Sequence, residues 1–349
     1  MIRLSWLQFR AQAVTAAAVL AAFAILLAVT GPHLASLYAA SAVTGCHGTT
    51  CITAVNAFLS RLAVTSPYPI VYLLGIGLIL VTPAITGIFW GAPLIARELE
   101  TRTFTLAWNQ SITRARWLAV KLALTGLAAM AVTEALSLIY TWWQNPIAKA
   151  TSLGNLGDIA KPFQAGQFSL VIFATTGITP LGYAAFAFAL GTAAGALIRR
   201  TVPAMAVTLA IFAAAQVAMP LGVRPHLIPP DQTIAMIASG TGNGQGVGLD
   251  YGNLTAVSVP GHPGAWIISS AAINRAGQPT TTLPAACAGA GPKAPDPGQC
   301  MESLGYREAI TYEPASRYWP LQGIETGIFL ALALALAGFC FWRLGRRRT

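Results

Sequence analysis

Six apolar runs punctuate the chain, each at least as long as the roughly 20 residues a helix needs to cross a bilayer core. They fall at about 11–30, 69–90, 117–142, 168–198, 202–221 and 319–342. None shows the two-residue alternation of a membrane β-strand, so the pattern predicts six transmembrane helices. The first run ends at Gly31-Pro32. The fourth is longer than a bilayer requires and carries Thr175-Thr176-Gly177-Ile178-Thr179-Pro180. Proline removes a backbone donor, and neighbouring hydroxyls can satisfy the carbonyl it frees, so a kink or tilt is expected there. Gly191 and Gly195 form a G-x-x-x-G spacing that permits close helix approach. The longest stretch outside the runs, 222–318, is rich in Gly, Pro, Thr and Ala. Within it, residues 265–270 followed by Ala276-Gly277-Gln278-Pro279 predict a strand and a turn. The expected fold is an all-α polytopic membrane protein with a small, irregular, partly β domain between helices five and six. Its expected parts are 1–221 with a polar loop at 91–117, 222–318, and 319–349 with a basic tail.

Composition supports a lipid solvent. Of 349 residues, 55% are hydrophobic and 9% charged, whereas soluble domains carry about 25% charged residues. The net charge of +10 does not point to nucleic acid, because no basic stripe with interleaved aromatics occurs. The cations instead flank the apolar runs. Arg97, Arg102, Arg114, Arg116, Lys121, Arg199 and Arg200 crowd short connections, and Arg343 and Arg346 to Arg348 follow the last run. Cations of the opposite set, such as Arg61, Lys149, Arg224 and Arg317, are spread over longer connections. The positive-inside rule then places the first set and both termini in the cytoplasm of a plasma-membrane protein. The first run exceeds the usual length of a signal-peptide core and is read as a retained span. Cys46, Cys51, Cys287 and Cys300 all fall on the side opposite the crowded cations. Their spacing suggests disulfides Cys46–Cys51 and Cys287–Cys300, with four free thiols as the alternative. No metal-ligand spacing appears.

Two carboxylates fall within the runs. Glu134, well inside the third, would cost several kcal/mol in hydrocarbon, about 2.5–3.5 for an Asp at the centre. It reads either as a cation-binding or conformational group on a transport path, or as a protonated side chain bonded to a neighbouring helix. Glu325, near the start of the sixth, reads as an interfacial residue favoured by the helix N-terminus, with a pairing to Arg317 open. Thr176 and Thr179 in the fourth run join these two as candidate pathway residues.

The connection at 91–117 gathers both acidic residues of the assigned inner face, Glu98 and Glu100. Ile95, Leu99 and Leu106 recur near the helical period. Ser111 is a fair N-cap for the third span, which puts Arg114 and Arg116 in a first turn where the helix dipole disfavours cations. A protein partner or lipid phosphate is expected to hold them.

At these residues the chain resembles the membrane subunit of an ABC-2 type ATP-driven exporter. It is similar to a six-span permease family frequent in actinobacteria. The resemblance runs from Trp90-Gly91-Ala92-Pro93 through Arg97-Glu98-Leu99-Glu100, Leu106-Ala107-Trp108 and Gln110-Ser111-Ile112-Thr113-Arg114-Ala115-Arg116-Trp117. It returns at Pro314-Ala315-Ser316-Arg317-Tyr318-Trp319-Pro320 with Gln322 and Glu325. The resemblance implies two permease copies, as a homodimer or with a close homologue, driven by a cytoplasmic ABC ATPase. It implies an ATPase-coupling role for Glu98, Glu100, Thr101, Arg102, Thr103, Arg114 and Arg116. Relatives often carry glycine where this chain has Arg102.

The four lysines, Lys121, Lys149, Lys161 and Lys293, neither follow Gly nor precede Ser or Thr, so no phosphate-binding P-loop is encoded. No catalytic constellation and no cofactor site is expected in this chain; ATP and magnesium belong to the partner ATPase. The competing reading is a membrane-anchored sensor or interaction protein whose 222–318 segment binds a ligand.

Overall fold

The computed structural model describes residues 2–46, 50–101, 114–153, 163, 165–236, 247–250, 253–256, 259, 262, 264–280, 283–287 and 297–345. Helix α1 (Ile2–Ala39) does not stop at Gly31-Pro32 but runs on through Pro32. A break in lipid would strand several backbone groups, whereas continuing costs one hydrogen bond. Packing also holds the turn beyond the proline, where Leu34 is fully buried. The next helix, α2 (Thr50–Val64), lies where the sequence predicted only a connection. Val55, Phe58, Leu59 and Leu62 recur at helical spacing and are all buried. At 15 residues it is too short to span. The Cys46–Cys51 disulfide ties its start to the end of the first span.

Helix α3 (Tyr68–Ile85) passes through a π-helical turn, Thr86–Gly91, into α4 (Ala92–Thr101). Together they make the second span, Tyr68–Glu98. Helix α5 (Arg114–Leu153) is the third. The fourth run is not one kinked helix. It divides into α6 (Leu170–Thr175) and α7 (Thr179–Ile198), with Thr176 extended at φ −122°, ψ 158° between them. Proline cannot continue a helix but suits its first turn, and Pro180 occupies the first turn of α7. Helix α8 (Thr201–Ala218) follows after two residues, Arg199 being left-handed at φ 59°. It ends in a second π-helical turn, Met219–Val223.

Two small antiparallel sheets, of four and two strands, follow among the described residues. Their strands are β1 (Asp231–Met236), β2 (Val247–Asp250), β3 (Asn253–Ala256), β4 (Trp266–Ile273) and β5 (Pro279–Thr280). The short helix α9 (Pro297–Ser303) then leads to β6 (Arg307–Glu313). Four strands order as β1-β6-β4-β5, and β2 pairs with β3. The expected strand is present as β4, and the turn expected at Ala276–Pro279 falls between β4 and β5, with Pro279 opening β5. In the turn between them the Asn274 side chain accepts from the Ala276 and Gln278 amides at 2.9 Å. Cys287 and Cys300 form the second disulfide, packed with Ala272 and Met301. The chain returns through α10 (Tyr318–Gly345), the sixth span.

Helix α7 is the axis of the bundle: 83% of its apolar window is buried, against 11–44% for the other five spans. It can be central because glycines let backbones touch. A Cβ on Gly195 would lie 2.5 Å from the Ala92 carbonyl oxygen, and one on Gly91 2.5 Å from that of Phe188. A Cβ on Gly191 would collide with the Gly87 carbonyl and lie 2.8 Å from the Ala92 nitrogen. The G-x-x-x-G of α7 thus meets the backbone at Gly87 and Ala92 of the second span, in a seam lined by glycine and alanine.

Candidate functional site

Polar chemistry concentrates at three places along this axis. The first is where the polar connection meets the bundle. Glu98, on α4, forms an ion pair with Lys121 of α5. Glu100 accepts from the Thr201 hydroxyl at 2.8 Å and from its backbone amide at 3.3 Å. That second contact places a carboxylate at the N-terminus of α8, where the helix dipole favours it. Two of the residues expected to face a partner therefore bind their own chain, because α4 ends against the starts of α5 and α8. Arg116 is exposed on the first turn of α5. Arg102 and Thr103, with the side chains of Thr101 and Arg114, lie outside the described residues.

The second place is the break between α6 and α7. Irregular backbone inside a membrane must have every polar group satisfied by protein or water, and here side chains from two other spans do it. The Gln322 carbonyl accepts from the Ile178 amide at 2.8 Å. Its amide nitrogen donates to the Thr176 carbonyl and the Tyr318 hydroxyl, both at 2.9 Å. From α5, Ser137 donates to the Gly177 carbonyl at 2.9 Å, and Thr141 accepts from the Gly177 amide at 3.1 Å. Gly177 has φ +68°, and a Cβ there would lie 2.8 Å from the Gln322 amide carbon. Only glycine meets both demands. The Thr176 hydroxyl meets Tyr318 at 2.8 Å, and that of Thr179 donates to the Phe173 carbonyl at 3.1 Å. The two threonines singled out in the sequence therefore flank the break.

The third place adjoins the second through Phe173. Arg224 lies 3.9 Å above the Phe173 ring and grips Glu325 with two bonds, Nε to Oε2 at 2.8 Å and Nη2 to Oε1 at 3.1 Å. Their side chains are 1% and 0% exposed. The Tyr183 hydroxyl of α7 donates to the same carboxylate. Glu325 is thus no interfacial cap but half of a buried bidentate pair, the geometry that strengthens such contacts. Arg317, the residue just before α10, binds Asp231 and Glu313 instead.

Sequence reasoning counted Arg224 as a loop cation because it follows the apolar run. The π-helical turn before it keeps the helix going, so the side chain enters the bundle. Gln322, Tyr183 and Ser137 were also missed as a group; single polar residues in apolar runs were the available signal. Glu134 faces the Leu181 backbone amide at the first turn of α7, and its Oε2 is buried with no hydrogen-bond partner among the described residues.

Five apolar helices around a glycine-seamed fourth span define a multi-pass membrane protein. The sequence pattern of the ABC-2 membrane transporter related family matches residues 17–224, more than half of the chain, and the chain belongs to that family. It is a transporter permease of ABC-2 type, a membrane subunit that is not itself catalytic. No curated protein and no solved structure matches it.

Proposed function

We propose that this chain is the membrane half of an ATP-driven exporter in the plasma membrane. It works as a homodimer or with a close homologue, and a separate cytoplasmic ABC ATPase binds the ATP and magnesium. Both termini and the connection at 91–117 are cytoplasmic. Residues 1–221 and 319–349, joined by Arg224, form the translocating bundle, and the rest of 222–318 is an extracellular domain.

One observation carries the reading: the segment entering the 91–117 connection is fastened to three spans. Glu98 holds it to α5 through Lys121, Glu100 holds it to α8 through Thr201, and the glycine seam holds it to α7. A push on the connection therefore reaches the third, fourth and fifth spans together, as a coupling element requires. Thr101, Arg102, Thr103, Arg114 and Arg116 are then the surface offered to the ATPase. Glu98 and Glu100 transmit its motion inward. Thr176, Thr179, Glu134 and Glu325 lie along the pathway, beside the break.

The test is ATP turnover by the full chain co-purified with its ABC ATPase in lipid. Glu98→Lys or Lys121→Glu alone lowers turnover about fivefold or more, from a coupling of 1–3 kcal/mol. The exchanged pair restores most of it, because attraction returns with the signs reversed. A double variant no better than the singles would refute the relay through the Glu98–Lys121 pair. Failure to retain any ATPase would remove the exporter reading.

A further inference from the structure

Three acidic residues lie within the described spans: Glu98, Glu134 and Glu325. Two of them have their cation, Lys121 and Arg224 respectively. Glu134 has none among the described residues. It lies on the stripe of α5 that includes Met130, Ser137 and Thr141, at i−4, i+3 and i+7. Ser137 and Thr141 reach the break at Gly177, and Met130 packs on the small residues of α7 and α10. Glu134 thus points toward the start of α7, not along the surface of the bundle.

What surrounds it is half a binding site. One side of the carboxyl faces the Leu181 amide, in the first turn of α7, where the helix dipole favours an anion. The other oxygen, Oε2, is buried and unpartnered. The next residue, Gly182, is so close to α10 that its Cβ would lie 3.1 Å from the Thr326 Cα. Thr326 is 6% exposed, and its hydroxyl also has no partner among the described residues. A half-buried carboxyl with one buried, unpartnered oxygen and a buried hydroxyl without a partner among the described residues therefore lie beside one turn of the central helix. Buried polar groups left unsatisfied are rare and call for an explanation. Apolar residues adjoin this turn: Met130 and Leu330 pack on Ala185, Ala189 and Ala333, and Phe329 lies against Gly182. An acceptor with negative charge, a hydroxyl beside the same turn and an apolar wall fit a large organic cation of single charge. They do not fit an anion, which the carboxylate would repel, or a small hydrated ion, which the apolar wall would not hydrate.

We propose that Glu134 is the anionic contact for a lipophilic monocation, with the Thr326 hydroxyl as a second polar contact, and that such cations are the substrate class of this permease. The substrate assignment rests on the exporter reading; the site itself does not.

The full chain in lipid nanodiscs tests it, with radiolabelled tetraphenylphosphonium as the probe and empty nanodiscs subtracted. Tetraphenylborate serves as the anion of equal shape. The wild type binds the cation saturably and the anion does not compete. Glu134→Gln weakens binding about tenfold or more, the loss of one close charge contact. Glu134→Asp keeps most of it, and Thr326→Val, which leaves the carboxylate in place, weakens it less than the Gln change. The Asp and Val variants keep the test decisive if the Gln variant fails to fold. Absence of saturable binding by the wild type would overturn the proposal. So would equal affinity in Glu134→Gln, or equal binding of the anion. ATPase retention is scored on the same preparations. An ATPase retained without cation binding removes the cation site alone, whereas loss of the ATPase with cation binding intact removes only the exporter reading.

Discussion

Replacing Glu325 with leucine removes the counter-charge of a guanidinium that has no access to solvent. Arg224 would lose bonds of 2.8 and 3.1 Å and keep the face of Phe173 at 3.9 Å and the neutral Tyr183 hydroxyl, neither of which replaces the charge. Breaking a buried pair from one side costs about 3–5 kcal/mol, because the orphaned charge stays buried. That shifts an unfolding equilibrium by more than a hundredfold. Arg224→Met orphans the carboxylate instead, although Tyr183 still donates to it, so its cost falls at the lower end of the same range. Removing both charges at once leaves neither orphan, and similar replacements elsewhere are neutral or stabilising. The double variant Arg224→Met, Glu325→Leu is therefore expected within about 1 kcal/mol of the wild type. The assay is reversible unfolding of the full chain in mixed micelles, followed by tryptophan fluorescence and analysed as a double-mutant cycle. A Glu325→Leu cost under about 1 kcal/mol, or a double variant that merely sums the singles, would refute the reasoning.

Further outcomes follow from other contacts. Gly195→Ala puts a methyl 2.5 Å from the Ala92 carbonyl oxygen and should cost about 1–3 kcal/mol in the same unfolding assay. Gly338→Ala, inside α10 with nothing within 4 Å of its Cβ, should instead stabilise by about 0.5–1 kcal/mol through helix propensity; equal losses at both sites would argue against the seam. In the sheet, burial pushes the Glu308 carboxyl from 4.5 up to about 7. The folded form then holds a proton that the unfolded chain has released, so this contribution to stability is full below pH 4.5 and is lost as pH rises through 7. Hydrogen exchange of the β4 and β6 amides, corrected for intrinsic rates, should show that decline, and Glu308→Gln should abolish it. A decline that persists in the variant would assign it to another group.

Much of the scaffold is legible in the sequence because bilayer thickness imposes one simple demand on it. Six apolar runs became six candidate spans, and both cysteine pairs formed as their spacing suggested. The turn at Asn274–Gly277 was legible for a local reason too, since its hydrogen bonds span at most four residues. What was illegible depends on partners distant in sequence. Arg224 and Glu325 are 101 residues apart, and Gln322 reaches Ile178 across 144. Nothing near Arg224 marks it as buried; only the π-helical turn and the arrival of α10 do so. The break after Thr175 was foreshadowed by Pro180. Its full opening needed Gln322, Ser137 and Thr141 to satisfy the exposed backbone, and no local pattern encodes three helices converging. Helix α2 escaped notice because an amphipathic stretch too short to span looks like a loop when bilayer length is the only ruler.

The coupling of the 91–117 connection to an ATPase is the central claim, and a photo-crosslinking residue at Thr103 tests it most directly. In cells expressing the full chain with its ABC ATPase, illumination should join the two polypeptides. The same residue placed at Ser303, beside the sheet, should not join them. A crosslink from Ser303 and none from Thr103 would reverse the orientation, and with it the assignment of this connection as the coupling element.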